Sequence, residues 1–262
     1  MRKTSLDELP QLLNVFNGTM SLVGATIVDR RGSDGTDTLD GIETLQFADG
    51  SFDIDIRSGA TGLSETDFAA IVELYIAYFD RAPAAKGLLY WATRFEDGMS
   101  LPEIAKSFFV QPETQATYAA YLDGAGGLRD AQGFVTAVFN NVLGRDPTSA
   151  YWVKTLEDPA SDVTPATFIL SVLNGAKAPT GGAPDRDFLA TKTDIGLYFA
   201  GIKGLSAYDD TVAVMEIYDG SAASLDKAVS HIDALYADAR DPDEGSFLIE
   251  LEGVIDDPFT GG

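Results

Sequence analysis

The chain has 262 residues, of which 45% are hydrophobic, and its 41 acidic and 18 basic residues give a formal net charge of −23. This length and apolar content allow a sizeable core and exclude a disordered chain. The acidic balance repels phosphate backbones, so we expect no nucleic-acid partner. The chain has no Cys, which excludes disulfides and thiolate chemistry. It also has no apolar run of about 18 residues, so we expect no transmembrane segment.

The N-terminal part is expected to form a short helix followed by a small β element. Residues 1–16 carry leucines at helical spacing, but Asp7 and Pro10 stand where a Sec signal peptide needs an apolar core. From residue 19 to residue 56 the apolar residues alternate in short runs, which is typical of strands. The dipeptide Asp49-Gly50 predicts a tight hairpin there.

A Gly- and Asp-rich segment, GSDGTDTL at residues 32–39, lies inside this β element. The calcium-binding β-roll repeat reads G-G-x-G-x-D-x-U-x, where U is a large apolar residue, and the segment matches five of the six specified positions. The candidate calcium site therefore consists of Gly32, Asp34, Gly35 and Asp37, with carbonyl and carboxylate oxygens as ligands. A complete site takes ligands from two successive turns, so a Gly/Asp-rich turn that binds nothing is an equal alternative.

From residue 64 onward the apolar spacing changes to the helical pattern i, i+3, i+4, i+7. The box Ser100-Leu101-Pro102-Glu103 marks a helix start, and a fourth helix of this part is predicted to run to about residue 122. Three further helices are predicted at about residues 188–202, 208–218 and 225–238.

An internal repeat organises the helical part, because residues 72–91, VELYIAYFDRAPAAKGLLYW, return in shortened form as residues 135–152, VTAVFNNVLGRDPTSAYW. Each copy has an apolar helix, an Arg, a Pro two residues on and a Tyr-Trp pair. The shared motif residues are Arg81, Pro83, Trp91, Arg145, Pro147 and Trp152. We expect structural roles: the arginines bind free carbonyls at helix ends, the prolines set helix starts and the tryptophans anchor the two cores. The alternative is that the Tyr-Trp pairs border a binding groove.

These patterns predict a mainly α fold: a helical bundle of two related units plus a third helical segment, with a small N-terminal β element. The stretch TGGAP, residues 180–184, is linker-like. The expected regions are residues 1–60 (short helix and β segment), 61–240 (helical domain, with the repeat at about 68–122 and 130–175 and the third segment at 188–240) and 241–262 (acidic C-terminal tail).

The motif Leu143-Gly144-Arg145-Asp146-Pro147 with Tyr151-Trp152 resembles a bacterial family. It is similar to the helical domain of unknown function that accompanies RTX (repeats-in-toxin) arrays in type I-secreted and surface-layer proteins, and more distantly to phycobilisome linker domains. Residues 32–39 resemble the end of an RTX array, which implies calcium as a cofactor. The resemblance spans about residues 19–240, and the first copy departs from it at Phe79-Asp80, where Leu-Gly is expected and the helix end could differ.

No catalytic motif emerges from the sequence. His231 is the one histidine, and the chain contains no G-x-S-x-G elbow and no H-E-x-x-H motif. Carboxylates are so abundant that no single acidic pair is informative. We therefore expect that the protein is not an enzyme.

The function expected on these grounds is that of a non-enzymatic, calcium-stabilised, secreted or cell-surface module in attachment or assembly, with other surface proteins or extracellular glycans as partners. One alternative is a glycan- or protein-binding module with an aromatic groove at Tyr90-Trp91 and Tyr151-Trp152. A second is a hydrolase with acidic catalytic residues. The expected location is extracellular or at the cell surface by non-Sec, type I export, and a cytoplasmic location is the alternative.

Overall fold

We describe the protein from a computed structural model. The described residues are the backbone of segments 20–23, 26–29, 36–38, 44–46 and 51–53 and, with side chains, residues 62–179, 182–241, 245–246, 248–251 and 255–259. Helices make up most of these residues, which confirms the mainly α fold.

The described part of the chain has ten α-helices, which we number in chain order, and one π-helical segment. The α-helices are α1 (Glu65–Phe79), α2 (Ala85–Glu96), α3 (Leu101–Phe109), α4 (Pro112–Thr117), α5 (Ala131–Leu143), α6 (Tyr151–Glu157), α7 (Pro165–Lys177), α8 (Ala183–Leu197), α9 (Tyr208–Ile217) and α10 (Ala222–Ala239). The π-helical segment, Tyr198–Ile202, continues α8.

Helix α1 lies at the centre of the bundle. Every residue from 71 to 79 is buried, and Glu73 is the single charged residue in that run. A helix that is apolar on all sides is stable only where other elements surround it, and α2, α3, α4, α5, α7 and α8 all contact α1. The Glu73 carboxylate is compensated by an ion pair with Lys177 of α7.

The predicted β element is present in the backbone of the N-terminal segments. Its strands are β1 (Met20–Val23), β2 (Thr26–Asp29), β3 (Thr36–Thr38), β4 (Thr44–Gln46) and β5 (Ser51–Asp53). Strands β4 and β5 pair antiparallel in the predicted hairpin, whose turn at Asp49-Gly50 lies outside the described residues. Strands β1 to β3 are antiparallel neighbours, and β6 (Leu248–Glu250) joins β1 in parallel to give the order β3-β2-β1-β6.

Strand β6 lies in the region that was expected to be an acidic tail. Its side chains Leu248 and Ile249 are buried, so this part of the tail closes the core. The Ile249 N–H donates to the Gly204 carbonyl at 3.2 Å. Gly204 has a φ of 63°, and a Cβ there would lie 2.6 Å from the Ile249 backbone, so only glycine allows this close approach.

The internal repeat forms two units of similar local architecture. The first repeat unit runs from α1 to the first turn of α4 (residues 65–113), and the second from α5 to the first turn of α8 (residues 131–185). Their long helices end in left-handed residues, Asp80 with φ 53° and Gly144 with φ 65°. Asp is among the few residues other than Gly that adopt this conformation readily, so the helix end is the same in both units despite the Phe79-Asp80 departure.

Some predicted boundaries differ from the observed ones. Helix α4 ends at Thr117 rather than near 122, because the chain turns and an isolated bridge joins Leu122 to Leu128. The linker-like stretch 180–184 partly belongs to α8, whose first turn contains Pro184. The helix predicted over residues 1–16 lies outside the described residues, and the expected domain boundaries stay predictions.

Candidate ligand-binding cleft

Arg81 follows the left-handed end of α1 and is 8% exposed. Its Nε and Nη2 donate to the two carboxylate oxygens of Glu113 at 2.5 and 3.0 Å, and its Nη1 donates to the Ala82 carbonyl at 2.8 Å. Glu113 belongs to the first turn of α4, so the pair joins the end of the first helix of the unit to the start of its fourth. Bidentate pairing fixes both the position and the plane of the guanidinium.

Three aromatic rings surround the Arg81 guanidinium. The centroids of Tyr75, Phe79 and Tyr208 lie 5.1, 5.3 and 5.1 Å from Cζ, within the range of cation–π attraction. Tyr208, the first residue of α9, also donates its hydroxyl to Glu113 at 3.2 Å. Tyr208 therefore covers the Arg81–Glu113 pair with both its ring and its hydroxyl.

Arg145 repeats the polar part of this arrangement in the second unit. Its Nε and Nη2 donate to the two carboxylate oxygens of Asp185 at 2.6 and 2.5 Å, and its Nη1 donates to the Asp146 carbonyl at 2.9 Å. Asp185 belongs to the first turn of α8, as Glu113 does in α4. Both units therefore close with an arginine bound to an acidic residue that directly follows a proline.

The aromatic part differs between the units. Among the described residues, Phe139 alone places a ring over Arg145, at 5.5 Å. Leu143 stands at the repeat position of Phe79, 64 residues further on. The Arg145 side chain is accordingly 36% exposed, against 10% for that of Arg81.

A cleft of about 400 Å³ lies beside Arg145. Its rings, Phe188 and Tyr218, have centroids 5.2 Å apart and planes inclined at 34°. A Cβ on Gly144 would lie 2.5 Å from the Phe188 ring, so the glycine at the helix end also makes room for this wall of the cleft. The cleft, which we call the Arg145 cleft, is lined by Leu143, Arg145, Pro184, Asp185, Asp187, Phe188, Thr191, Tyr218 and Gly220.

Hydrogen bonds and neighbouring charges favour a charged Arg145 and a neutral Tyr208. The hydrogen bonds to Asp185 raise the pKa of Arg145, so its guanidinium stays charged. In the first unit the charge of Glu113 raises the pKa of Tyr208, so the phenol stays protonated and donates. The Glu113 oxygen that binds Arg81 Nε also accepts from Tyr208, which shows that an arginine-bound carboxylate retains room for one more donor.

The lining of the Arg145 cleft suits an uncharged ligand group that has hydroxyl or N–H donors and a flat face. Asp185 and the exposed Asp187 offer acceptor oxygens, and Thr191 offers a hydroxyl oxygen while donating its own proton to the Asp187 carbonyl at 2.9 Å. The rings of Phe188 and Tyr218 supply the apolar wall that small-molecule sites commonly have.

The prolines of the repeat lie before helices, and its tryptophans pack against phenylalanines of the core. Pro83 is buried one residue before the N-cap of α2, and Pro147 lies four residues before α6, so neither occupies a first helical turn. Trp91 and Trp152 are half-buried against Phe108 and Phe168, with ring centroids at 5.0 and 5.3 Å. Their neighbours Tyr90 and Tyr151 are 42% and 63% exposed.

The candidate calcium residues cannot be assembled into a site from the described part of the chain. Gly32, Asp34 and Gly35 lie outside the described residues. Asp37 lies in β3, where the structure describes the backbone and not the side chain. Within the described residues, no group of three or more His, Cys, Asp or Glu side chains could hold a metal ion. Calcium binding at residues 32–37 stays a prediction.

Sequence reasoning missed Asp185, Phe188 and Tyr218 as members of a site. The dipeptides Pro112-Glu113 and Pro184-Asp185 carried a usable signal, because both follow the third helix of their repeat unit. Phe188 and Tyr218 carried none, because apolar spacing in a helix does not separate a cleft wall from a core residue.

Comparison with known proteins gives one family match. Residues 1–74 match the model of the family described as bacterial sugar transferase. No curated protein and no solved structure matches the chain. The matched residues end inside α1, the central helix of the bundle.

This match corrects several expectations. The similarity at the N-terminus is to sugar transferases, so the assignment to an RTX-associated domain was wrong. The same match contradicts the expectation that the protein is not an enzyme. It also overturns the non-enzymatic surface module, the two alternatives beside it and the description of the chain as secreted and RTX-like. In this fold Arg145 of that motif joins the end of α5 to the first turn of α8 through Asp185, a structural role that does not require an RTX-associated domain. One expectation is met within the described residues: no helix there is long and apolar enough to cross a membrane.

Proposed function

We propose that this protein takes part in sugar transfer and that the Arg145 cleft receives part of the substrate. The observation that carries the proposal is the match of residues 1–74 to bacterial sugar transferases. The lining of the cleft supports it, since its aromatic rings and its carboxylate and hydroxyl oxygens can bind a part of the substrate that has a flat face and hydrogen-bond donors.

The matched segment is built into the same fold as the cleft. Its last residues belong to α1, where Phe68, Ile71 and Val72 are fully buried in the main core. Helix α8, which contributes Asp185 and Phe188 to the cleft, packs along α1. Strand β1, also within the match, pairs with β6. The sugar-transferase segment and the helical part therefore form a connected structure.

Sugar transfer needs a donor whose anomeric carbon carries a good leaving group and an acceptor that gains the sugar. A nucleotide sugar meets the first requirement, and we propose this class as the donor. A glycan is the acceptor class we propose. Because cells keep nucleotide sugars in the cytoplasm, the proposal favours the cytoplasmic of the two locations.

The test uses the full chain with radiolabelled UDP-glucose, UDP-galactose and GDP-mannose, each with a bacterial glycan fraction as the acceptor. We expect nucleotide release and label in the glycan above the level of heat-denatured protein. Asp187→Asn removes an exposed carboxylate from the cleft and should lower the rate about tenfold, the loss expected for one hydrogen bond to a charged acceptor.

Asp162→Asn is the matched control, since Asp162 is exposed and is not among the residues that line the cleft. It should leave the rate unchanged. Absence of release and of label with all three donors would contradict the proposed function.

A further inference from the structure

The two repeat units show the same ion pair in an occupied and an open form. In the first unit, Tyr208 of α9 lies over Arg81 and binds Glu113. In the second unit, Arg145 and Asp185 have the same bidentate geometry but border the Arg145 cleft. The first unit therefore displays a ligand group that such a pair accepts.

The Tyr208 side chain, which covers the pair in the first unit, has two properties that matter for binding. Its ring lies with the centroid 5.1 Å from the guanidinium carbon, where the ring electrons attract the charge. Its edge carries one hydroxyl, which donates to the carboxylate at 3.2 Å. A plain aromatic ring lacks the donor, and a plain sugar lacks the flat electron-rich face.

We infer that the Arg145 cleft binds a planar ring that carries an O–H or N–H donor at its edge. The ring face lies on the Arg145 guanidinium and the donor binds Asp185, as Tyr208 does on Arg81 and Glu113. The opposite side of the ring contacts Phe188 and Tyr218, and Leu143 replaces the bulkier Phe79 to leave room for it.

Two sources supply this chemistry: a nucleobase and a phenol. All nucleobases are flat and present N–H donors at their edges, and stacking on protein side chains is common in their recognition. The assignment to a nucleobase rests on the proposed function, because a nucleotide sugar would bring the base with it. Ring binding itself does not depend on sugar transfer.

The experiment is a titration of the full chain by NMR, observed through saturation transfer to uridine, guanosine, p-cresol and glucose separately. We expect at least one nucleoside and p-cresol to bind and glucose alone to bind more weakly. Asp185→Asn removes the charged acceptor and should weaken binding about tenfold. Glu113→Gln, the matched change in the first unit, should leave the affinity within about twofold, because a distant independent site does not couple.

Two further variants keep the result informative if Asp185→Asn unfolds. Leu143→Phe places the aromatic residue of the first unit in the cleft and should block binding. Tyr208→Ala removes a side chain that is 56% exposed and uncovers the Arg81–Glu113 pair. It should raise the number of p-cresol molecules bound from one to two.

The outcomes separate this inference from the proposed function. Binding that Asp185→Asn and Leu143→Phe leave unchanged overturns the inference, as does failure of all the ring compounds to bind. Binding of p-cresol with neither nucleoside overturns the nucleobase assignment. Ring binding without sugar transfer supports the inference and counts against the proposed function. Sugar transfer without ring binding supports the proposed function and overturns the inference.

Discussion

The first and second repeat units contain the same bidentate arginine–carboxylate pair, covered by aromatic rings in the first unit and bordering a cleft in the second. In the first unit the pair is enclosed, because rings from α1 and α9 surround Arg81 and bury it. In the second unit the same pair stays at the wall of an open cleft, because the chain places Leu143 where the first unit has Phe79. Duplication thus lets one copy serve stability while the other remains available to a ligand.

The largest expected effect is the difference in the free energy of unfolding lost when each of the two arginines is replaced. Arg81→Ala leaves the partly buried Glu113 with the Tyr208 hydroxyl but without the guanidinium, and it should cost about 3 kcal/mol in the free energy of unfolding, the lower end of the range for a broken buried pair. Arg145→Ala breaks a pair whose arginine is 36% exposed and should cost about 1 kcal/mol. Urea unfolding followed by circular dichroism measures both. Equal losses would show that enclosure by the rings contributes nothing.

An intermediate effect concerns the two helix ends. Gly144→Ala forces a left-handed alanine and pushes on Phe188, and it should cost about 1–2 kcal/mol. Asp80→Gly relaxes the backbone at the matching position of the first unit but also removes the carboxylate that lies 3.5 Å from the buried Lys192 ammonium, so it should cost about 1–3 kcal/mol. The same unfolding experiment compares them. No loss for Asp80→Gly would show that the pair with Lys192 contributes nothing, and no loss for Gly144→Ala would show that neither the left-handed backbone nor the contact with Phe188 requires glycine there.

The smallest effect concerns α8, which closes the second unit at its start and packs on α1 of the first. Burial, helped by the negative charge of Glu65, raises the pKa of Asp194 to about 6. Because the folded-state pKa lies above the ordinary value, the ionised carboxylate destabilises the fold at pH 7. This cost disappears as the pH falls through 6 toward 4, so this group makes the protein more stable in acid.

Asp194→Asn should therefore raise the melting temperature at pH 7 by about 2–4 °C, corresponding to about 1 kcal/mol for a partly solvent-screened group. At pH 4.5, where the folded-state carboxyl is mostly protonated, the gain should be clearly smaller. Asp162→Asn, an exposed aspartate, is the control. A gain of the same size at both pH values would mean that burial of the charge is not the cause.

Much of the fold could be predicted from the sequence because it depends on local signals. Capping boxes at Ser100 and Thr164 and the apolar spacing around Phe68 act over a few residues, and the helices that they predict are present. Strand β6 was missed because its pairing with β1 joins residues more than 220 positions apart, which no local pattern records.

The candidate site was harder to predict for the same reason. The repeat identified Arg81 and Arg145, but their acidic partners lie 32 and 40 residues further along the chain. Of the two rings that distinguish the first unit, Phe79 and Tyr208, the second comes from a helix outside both copies. Local chemistry therefore located the arginines, while tertiary packing decides which of them stays accessible.

The most direct test of this account exchanges the residues that distinguish the two units. Label transfer from a nucleotide sugar to a glycan is measured for the original protein, for Leu143→Phe and for Phe79→Leu, with melting temperatures to confirm folding. The account predicts transfer by the original protein, at least a tenfold loss in Leu143→Phe and an unchanged rate in Phe79→Leu, since a blocked pocket loses the substrate contacts made there. Transfer that Leu143→Phe leaves unchanged, or its absence in the original protein, would contradict the account.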